Sequence, residues 1–280
     1  MTVKEKAYAK INIYLDVTGK RDDGFHDIIS VMQSVSLCDD ITLTAVPADE
    51  TVINITSNET SLDNGESNLI YRSAAKYLSK FNANAKVNVE LIKRIPIGAG
   101  LGGGSSDAAA TLRAMNKIFG YASNNQLFEM AAEIGSDVPF CLLGGCALCS
   151  GRGEKINAAN ADFYPHIVIA IGVSRVSTPK AYSLLDERYG DFVVHNRCIN
   201  PLDLSNIDVY NIFESVINSD EIDSIKEIMI KNGAKAALMS GSGPSVFGGF
   251  EKAKDASAAK KELESRGFLA FECQPIQEKL

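Results

Sequence analysis

A glycine-rich segment is the part of this sequence best suited to bind an anion. Residues 98–106 (Gly-Ala-Gly-Leu-Gly-Gly-Gly-Ser-Ser) contain five glycines among nine residues. Glycine lets backbone N–H groups approach a phosphate closely, and a helix that begins after such a loop adds partial positive charge. The segment lies between a predicted strand and a predicted helix, which favours a phosphate-binding loop over a flexible surface loop.

Three well-known nucleotide-binding patterns do not fit this loop. A dinucleotide-binding unit shares the G-x-G-x-x-G spacing, but its helix returns into a parallel strand that ends in an acidic residue. Here the predicted helix leads into a polar stretch at 121–125 and then a second helix. No lysine follows the glycines, as a Walker A loop would require, and the H-R-D and D-F-G motifs of protein kinases are absent.

Two other segments carry side chains suited to acid–base chemistry. Residues 8–17 alternate polar and apolar side chains, so a half-buried strand would project Lys10 and Asn12 from one face. By pattern alone, this lysine is either a solvated surface residue or a functional ammonium. Asp137 stands in a Gly-Ser-Asp-Val-Pro turn, where a carboxylate serves either as a helix cap or as a rigidly held general base.

The elements that would position these side chains follow from the hydrophobic periodicity. In the first half, strands are predicted over 8–17, 28–35, 41–46, 52–56 and 86–93, and helices over 68–80 (with Ser67 as N-cap), 107–116 and around 127–134. In the second half, strands over 167–171, 236–239, 245–250 and 268–272 are predicted beside helices after Pro179, near 222–230 and over 253–265. This second order is close to a split βαβ sandwich. The polar stretch 155–165 is a predicted junction, which gives domains over 1–157 and 158–280.

Composition and charge narrow the class of protein. The formal net charge is -7 and the pI about 5.1, so the overall field opposes binding of nucleic acid. The longest apolar stretch, 139–149, is too short to span a membrane, and the first residues lack the apolar core of a signal peptide. We therefore expect a cytoplasmic protein with neither nucleic-acid nor membrane partners. Cys146 and Cys149 have C-x-x-C spacing, but in a strand they point to opposite faces, which predicts buried, reduced thiols.

Three segments together resemble the GHMP superfamily of small-molecule kinases. They are residues 9–12 (Ala-Lys-Ile-Asn), the glycine loop with its preceding residues 96–97, and the late turn 241–245 (Gly-Ser-Gly-Pro-Ser). Residues 18–26, 135–139 and 178–179 are similar to one branch of the superfamily, which phosphorylates a cytidine-diphosphate-linked methylerythritol in the non-mevalonate isoprenoid pathway. The resemblance runs from residue 6 to about residue 250, nearly the whole chain.

The resemblance implies an α+β GHMP kinase fold. It combines a ribosomal-S5-domain-2-like N-terminal domain with a ferredoxin-like C-terminal domain, and the active site lies in the cleft between them. ATP is the implied phosphoryl donor, with Mg²⁺ carried by the nucleotide, and the cytidylated methylerythritol is the implied small-molecule acceptor.

The resemblance also implies roles for individual residues. Lys10 and Asp137 become the catalytic pair. The residues implied to contact the acceptor are Asn12, Phe25, His26, Thr178 and Tyr182. Those implied to bind ATP are Asn68, Lys93, Pro96, Ile97, Gly98, Ala99, Gly100, Leu101, Gly102, Gly103, Gly104, Ser105 and Ser106.

Two positions depart from the family pattern. Tyr8 stands where proline is usual, and Phe25 stands where tyrosine is usual; neither change removes a charge that the chemistry needs. Other functions stay open at this point: another GHMP kinase with a different acceptor, a nucleotide-binding regulator without catalysis, or a dehydrogenase. The sequence does not reveal metal ligands.

Overall fold

The computed structural model describes residues 1–159, 164–173, 176–190 and 209–277 of the 280-residue chain. The strands are β1 (Thr2–Lys20), β2 (His26–Pro47), β3 (Val52–Ser57), β4 (Ala85–Ile92), β5 (Cys146–Gly151), β6 (Lys155–Ala159), β7 (His166–Ile171), β8 (Tyr210–Asn211), β9 (Ala236–Met239), β10 (Ser245–Phe250) and β11 (Leu269–Cys273). The helices are α1 (Leu69–Lys80), α2 (Gly103–Phe119), α3 (Asn124–Ile134), α4 (Val138–Leu143), α5 (Thr178–Tyr189), α6 (Asp220–Lys231) and α7 (Ala253–Ser265). None of these helices is long and apolar enough to cross a membrane.

The first lobe is built on a mixed sheet with strand order β3-β4-β2-β1-β8, extended by β5 on β2 and β6 on β5. The long strand β2 pairs antiparallel with β1, β4 and β5, so it holds the sheet together. Helices α1 to α4 cover one face through a core that includes Leu43, Tyr77, Leu112 and Phe140, all fully buried. Burial of this apolar surface stabilises the fold by about 25 cal/mol per Å² withdrawn from water.

The second lobe is a four-stranded antiparallel sheet with order β11-β7-β10-β9. If these four strands are numbered 1 to 4 along the chain, their order in the sheet is 4-1-3-2. Helices α5 and α6 come before β9, and α7 comes before β11. The predicted split βαβ arrangement is therefore confirmed. The strand β8, although it follows α5, pairs in parallel with β1 of the first lobe.

The two sheets pack on each other through strand β1. Its apolar side chains Ala9, Ile11 and Ile13 form one buried cluster with Ile169 and Phe247 of the second sheet. The opposite side of the strand is buried as well, since every residue from 9 to 17 is buried. The prediction of a half-buried strand was wrong because a second sheet and the glycine loop close over it.

Several predicted boundaries differ from the structure. Helix α2 begins at Gly103, so the end of the glycine loop is its first turn rather than a separate segment. Asn68 caps α1 by accepting from Ile70 N, in place of Ser67. The predicted strands 28–35 and 41–46 are one strand, and residues 155–159 are β6 rather than irregular. The predicted domain boundary at 157/158 falls inside β6 and stays a prediction.

Candidate active site

Lys10 and Asn12 project from β1 into a chain of buried hydrogen bonds. Lys10 Nζ donates to Asn12 Oδ1 at 2.8 Å, and Asn12 Nδ2 donates to Ser30 Oγ at 2.8 Å. Ser30 in turn donates to the carbonyl of Tyr14 at 2.7 Å. Because the serine hydroxyl donates its only proton to that carbonyl, it can act only as an acceptor towards the Asn12 amide. The Asn12 oxygen is therefore directed at Lys10, and the ammonium is held in place.

Asp137 reaches the same ammonium from a different element. It stands just before α4, yet its side chain makes no capping hydrogen bond to that helix. Instead its Oδ2 lies 3.2 Å from Lys10 Nζ. The Asp137 side chain is 30% exposed and that of Lys10 only 6%, so the carboxylate faces a cleft above a buried cation. The helix-cap interpretation is thus excluded, and the arrangement suits a carboxylate that takes a proton from a bound hydroxyl.

The glycine loop is held by the late turn of the second lobe. Ser240 Oγ accepts from Asn12 N at 3.3 Å and donates to Gly100 O at 3.3 Å, while Ser245 Oγ donates to Ala99 O at 2.5 Å. A Cβ atom on Gly100 would lie 2.4 Å from Ser240 O, so only glycine fits this contact. Strand β1, the loop and the late turn therefore form one hydrogen-bonded unit.

The start of α2 suits anion binding. Its N-cap, Gly102, has φ 69° and offers no side-chain hydrogen bond to the helix. The first N–H groups of a helix lack partners within the helix, and the aligned peptide dipoles add partial positive charge there. Backbone donors of the first turn are therefore available to a phosphate.

Lys93, which was implied to bind ATP, forms a buried charge cluster with two aspartates. Its Nζ lies 2.5 Å from Asp39 Oδ2 and 2.7 Å from Asp107 Oδ2. Burial lowers the pKa of Lys93, but the charges of Asp107 and Asp39 outweigh it and the net pKa is raised. Burial raises the pKa of Asp107, because Lys93 only partly offsets the loss of water and Asp39 repels a second negative charge. Asp107 Oδ1 has no hydrogen-bond partner.

A second group of contacts joins the β1–β2 turn to α5. His26 Nε2 lies 2.8 Å from Asp186 Oδ1, and Lys20 Nζ lies 2.6 Å from Asp186 Oδ2. Burial opposes ionisation of Asp186, but hydrogen bonds from Lys20 and His26 outweigh it and lower the pKa of the carboxyl. The His26 ring stacks on Tyr182 with centroids 4.6 Å apart and an interplanar angle of 20°. Phe25 at the tip of the turn is 52% exposed.

Two cavities meet at the glycine loop. One of about 630 Å³ is lined by all seven predicted catalytic and acceptor residues: Lys10, Asn12, Phe25, His26, Asp137, Thr178 and Tyr182. The other, of about 410 Å³, is lined by Asn68, Lys93 and residues 96–105. Gly100, Gly102 and Ser105 line both. The arrangement therefore offers a donor cavity and an acceptor cavity that share one wall.

Ser106 is the one predicted ATP residue that lines neither cavity. It is buried, and its hydroxyl donates to the carbonyl of Tyr8. Asn68 lines the donor cavity, but its amide is committed to the protein, since Oδ1 caps α1 and Nδ2 donates to Asp63 O at 2.8 Å. Both residues serve the architecture of the loop and of α1 in this structure.

Sequence reasoning missed several polar residues of the site. They are Ser30, Asp39, Asp107, Arg152, Asp186 and Ser240, which come from five separate segments, since Ser30 and Asp39 both lie in β2. Only Asp107 carried a local signal, because a lone carboxylate directly after a glycine loop places negative charge where an anion is expected. Within the described ranges, no group of three or more His, Cys, Asp or Glu side chains is placed to hold a metal ion.

Comparison with known protein families shows two matching regions. Residues 68–145 match the model of the GHMP kinases N terminal domain, and residues 206–268 match that of the GHMP kinases C terminal region. The first match contains the glycine loop and Asp137, and the second contains the late turn that holds the loop.

Curated relatives and solved structures agree with these matches. A 4-diphosphocytidyl-2-C-methyl-D-erythritol kinase of Bacillus velezensis is 42% identical over 256 residues, which cover 89% of this chain and 88% of that protein. The protein of the same name from Caldicellulosiruptor saccharolyticus is 40% identical, covering 92% and 91%. A crystal structure of 4-(cytidine 5'-diphospho)-2C-methyl-D-erythritol kinase superposes with a TM-score of 0.78 at 31% identity, covering 97% and 99%. A homoserine kinase from Cytophaga hutchinsonii, at 19% identity, shares the fold with a TM-score of 0.72 and coverage of 99% and 96%.

Proposed function

Since this chain belongs to the 4-diphosphocytidyl-2-C-methyl-D-erythritol kinase family of GHMP kinases, we propose that it phosphorylates the 2-hydroxyl of 4-diphosphocytidyl-2-C-methyl-D-erythritol with ATP. The predicted GHMP kinase fold is confirmed. The enzyme is a phosphotransferase with an alcohol acceptor, and its reaction is a step of non-mevalonate isoprenoid biosynthesis.

One observation carries this proposal to the residues of the chain: the Lys10–Asp137 pair faces a cavity that adjoins the glycine-loop cavity. Phosphoryl transfer depends on positioning and on neutralising charge more than on covalent chemistry. A wall shared by the two cavities brings the donor phosphate and the acceptor hydroxyl to the same place. Asp137 lines the acceptor cavity, and its partner Lys10 packs against Gly102 of that wall.

In the proposed reaction, Asp137 accepts the proton of the acceptor hydroxyl as its oxygen bonds to the γ-phosphorus of ATP. The bond from that phosphorus to the bridging oxygen breaks, and ADP leaves with the bonding electrons. Lys10 pairs with Asp137 and stabilises the developing charge on the acceptor oxygen. Asn12 holds Lys10 in position through the 2.8 Å hydrogen bond.

The donor and acceptor are held by different parts of the molecule. The backbone of the glycine loop and the N-terminus of α2 bind the ATP phosphates. The acceptor extends from Asp137 to the turn that carries Phe25 and His26, with Thr178 and Tyr182 on the facing helix. We further propose that Phe25 and Tyr182 stack on the two faces of the cytosine; in this structure the ring beside Tyr182 is that of His26.

Mg²⁺ accompanies ATP in this proposal. The described side chains do not form a metal site on their own, so the phosphates and water would supply most of the oxygen ligands that Mg²⁺ prefers. Its chemical contribution when bound is to neutralise phosphate charge.

Because the reaction draws on ATP, the proposed location of the protein is the cytoplasm.

A coupled assay tests the proposal. The purified protein with ATP should form ADP in proportion to added 4-diphosphocytidyl-2-C-methyl-D-erythritol, and CMP should compete with that acceptor. ATP binding without ADP formation would indicate a regulator that lacks catalysis. Turnover of homoserine or mevalonate, with no turnover of the cytidylated acceptor, would indicate another GHMP activity.

A further inference from the structure

Arg152 lines the acceptor cavity and has no assigned role. It stands in the tight turn between β5 and β6, flanked by Gly151 and Gly153, whose φ values are 68° and 109°. Its backbone N–H donates to Glu154 Oε2 at 2.6 Å, so the Glu154 carboxylate shapes the turn. The backbone that carries Arg152 is thereby fixed at the rim of the cavity.

Among the described residues, the guanidinium of Arg152 forms no ion pair, although its charge helps to lower the pKa of Asp23. Lys10, Lys20 and Arg21 in the same region each form an ion pair with an aspartate. Across the described ranges, no carboxylate forms an ion pair with Arg152, and its guanidinium instead lies 4.8 Å from the centroid of the Phe25 ring. A half-buried cation stacked on an aromatic ring is partly desolvated and still able to bind an anion with its N–H edge.

The position of Arg152 along the cavity indicates which anion it would bind. At one side it contacts Phe25, next to His26, where the base of the acceptor is proposed to lie. At the other side its turn approaches the proposed general base, since a Cβ atom on Gly153 would lie 3.9 Å from Asp137 Oδ1. The order along the cavity is therefore the ring proposed to bind the base, the Arg152 guanidinium and the proposed proton acceptor. The acceptor molecule has the same order: cytidine, diphosphate, methylerythritol hydroxyl.

We propose that Arg152 binds the diphosphate of the cytidylated acceptor and so selects for a nucleoside diphosphate conjugate. This proposal rests on the proposed function. Arginine forms bidentate, charge-assisted hydrogen bonds with phosphate oxygens, and these are stronger than neutral ones. The Phe25 ring covers one side of the guanidinium, whose carbon atom lies 4.8 Å from the ring centroid, and a guanidinium in such a contact can still bind an anion through its N–H groups.

Binding measurements with CDP, cytidine and a non-hydrolysable ATP analogue test the proposal. Arg152→Met keeps the length and apolar contact of the side chain but removes its charge. We expect CDP to bind about 10- to 100-fold more weakly to Arg152→Met than to the wild type, while cytidine and the ATP analogue bind as before. Arg152→Lys should recover part of the loss, since it restores a charge without the fork. Arg266→Met is the matched control, because Arg266 is exposed at the end of α7 and 3.8 Å from Glu262.

Each other outcome contradicts the proposal in a distinguishable way. Unchanged CDP affinity in folded Arg152→Met would show that the guanidinium does not contact the diphosphate. An equal loss for CDP and cytidine would show that Arg152 acts only by holding Phe25. A loss confined to the ATP analogue would assign the cation to the donor. If the wild type bound neither CDP nor cytidine, the proposed function itself would fail.

Discussion

Gly102→Ala offers a sharp test of the link between the glycine loop and the catalytic lysine. A Cβ atom at this position would lie 2.8 Å from Lys10 Cγ and 3.2 Å from Lys10 Cε. Carbon atoms pack best at roughly 3.5 Å or more, so the lysine stem would have to move by about 0.7 Å. It cannot move freely, because its ammonium is bonded to Asn12 and Asp137 in a buried position.

The same helix supplies a matched control. Gly120, the C-cap of α2, has the same φ of 69° and ψ of 19° as Gly102. A Cβ atom on Gly120 would meet nothing within 4 Å. Alanine at either position adopts the left-handed region at a cost of about 1–2 kcal/mol, so only the contact with Lys10 distinguishes the two variants.

The expected result is a loss of turnover in one variant only. Both variants should lose about 1–2 kcal/mol of unfolding free energy in denaturant titrations. Gly120→Ala should keep the wild-type kcat, whereas Gly102→Ala should lose at least about tenfold, since sub-ångström misplacement of a catalytic group is costly. The affinity for a non-hydrolysable ATP analogue should persist, because the added methyl points at Lys10. If Gly102→Ala kept the kcat of Gly120→Ala, Lys10 would not need the position described here.

Three other outcomes follow from the site. Asp137→Asn should lower kcat by at least about 100-fold with little change in either KM, because an amide cannot accept the proton; retention of more than about a tenth of wild-type kcat would exclude general-base catalysis there. Tyr182→Ala should raise KM for the cytidylated acceptor at least about fivefold and leave KM for ATP unchanged, and an unaltered acceptor KM in a folded variant would remove this ring from the site. Asp107→Asn removes a carboxyl whose pKa is raised in the folded state, so its proton favours folding and that stability is lost as the pH rises from about 4 towards the raised pKa. Denaturant titrations across that window should show the wild type losing unfolding free energy relative to Asp107→Asn as the pH rises. A wild type that gained unfolding free energy relative to Asp107→Asn over the same window would contradict the raised pKa.

Local patterns predicted the elements of the second lobe well. The predicted strands 236–239 and 245–250 and the helix 253–265 coincide with β9, β10 and α7. Each is flanked within two residues by glycine, proline or charged residues, and α7 also buries Ala256, Ala259 and Leu263 at helical spacing, so neighbouring residues determine the ends of these elements. The glycine loop was likewise visible in the sequence, because its composition reports directly on its backbone conformation.

The surroundings of the catalytic residues could not be read in this way. The Asn12–Ser240 contact spans 228 positions, and Lys93 meets Asp39 across 54. A polar residue in an alternating strand looks solvent-facing until the second sheet and the loop are placed over it. The spacing within β1 therefore predicts which side chains share a face, but only tertiary packing decides that this face is buried.

The charge cluster at Lys93 changes how the donor cavity must bind phosphate. The Lys93 ammonium forms ion pairs with two buried carboxylates, which neutralise its positive charge, so that charge is not available to ATP. The raised pKa of Asp107 means that this carboxyl takes up a proton more readily, which makes the cluster less negative but still leaves it no net positive charge for ATP. Phosphate charge in this cavity must therefore be met by backbone N–H groups of the loop, by the N-terminus of α2 and by the cation that accompanies ATP. This reliance on backbone N–H groups explains why the loop is rich in glycine. A side chain on the phosphate side of the loop would keep these N–H donors away from the phosphates of ATP.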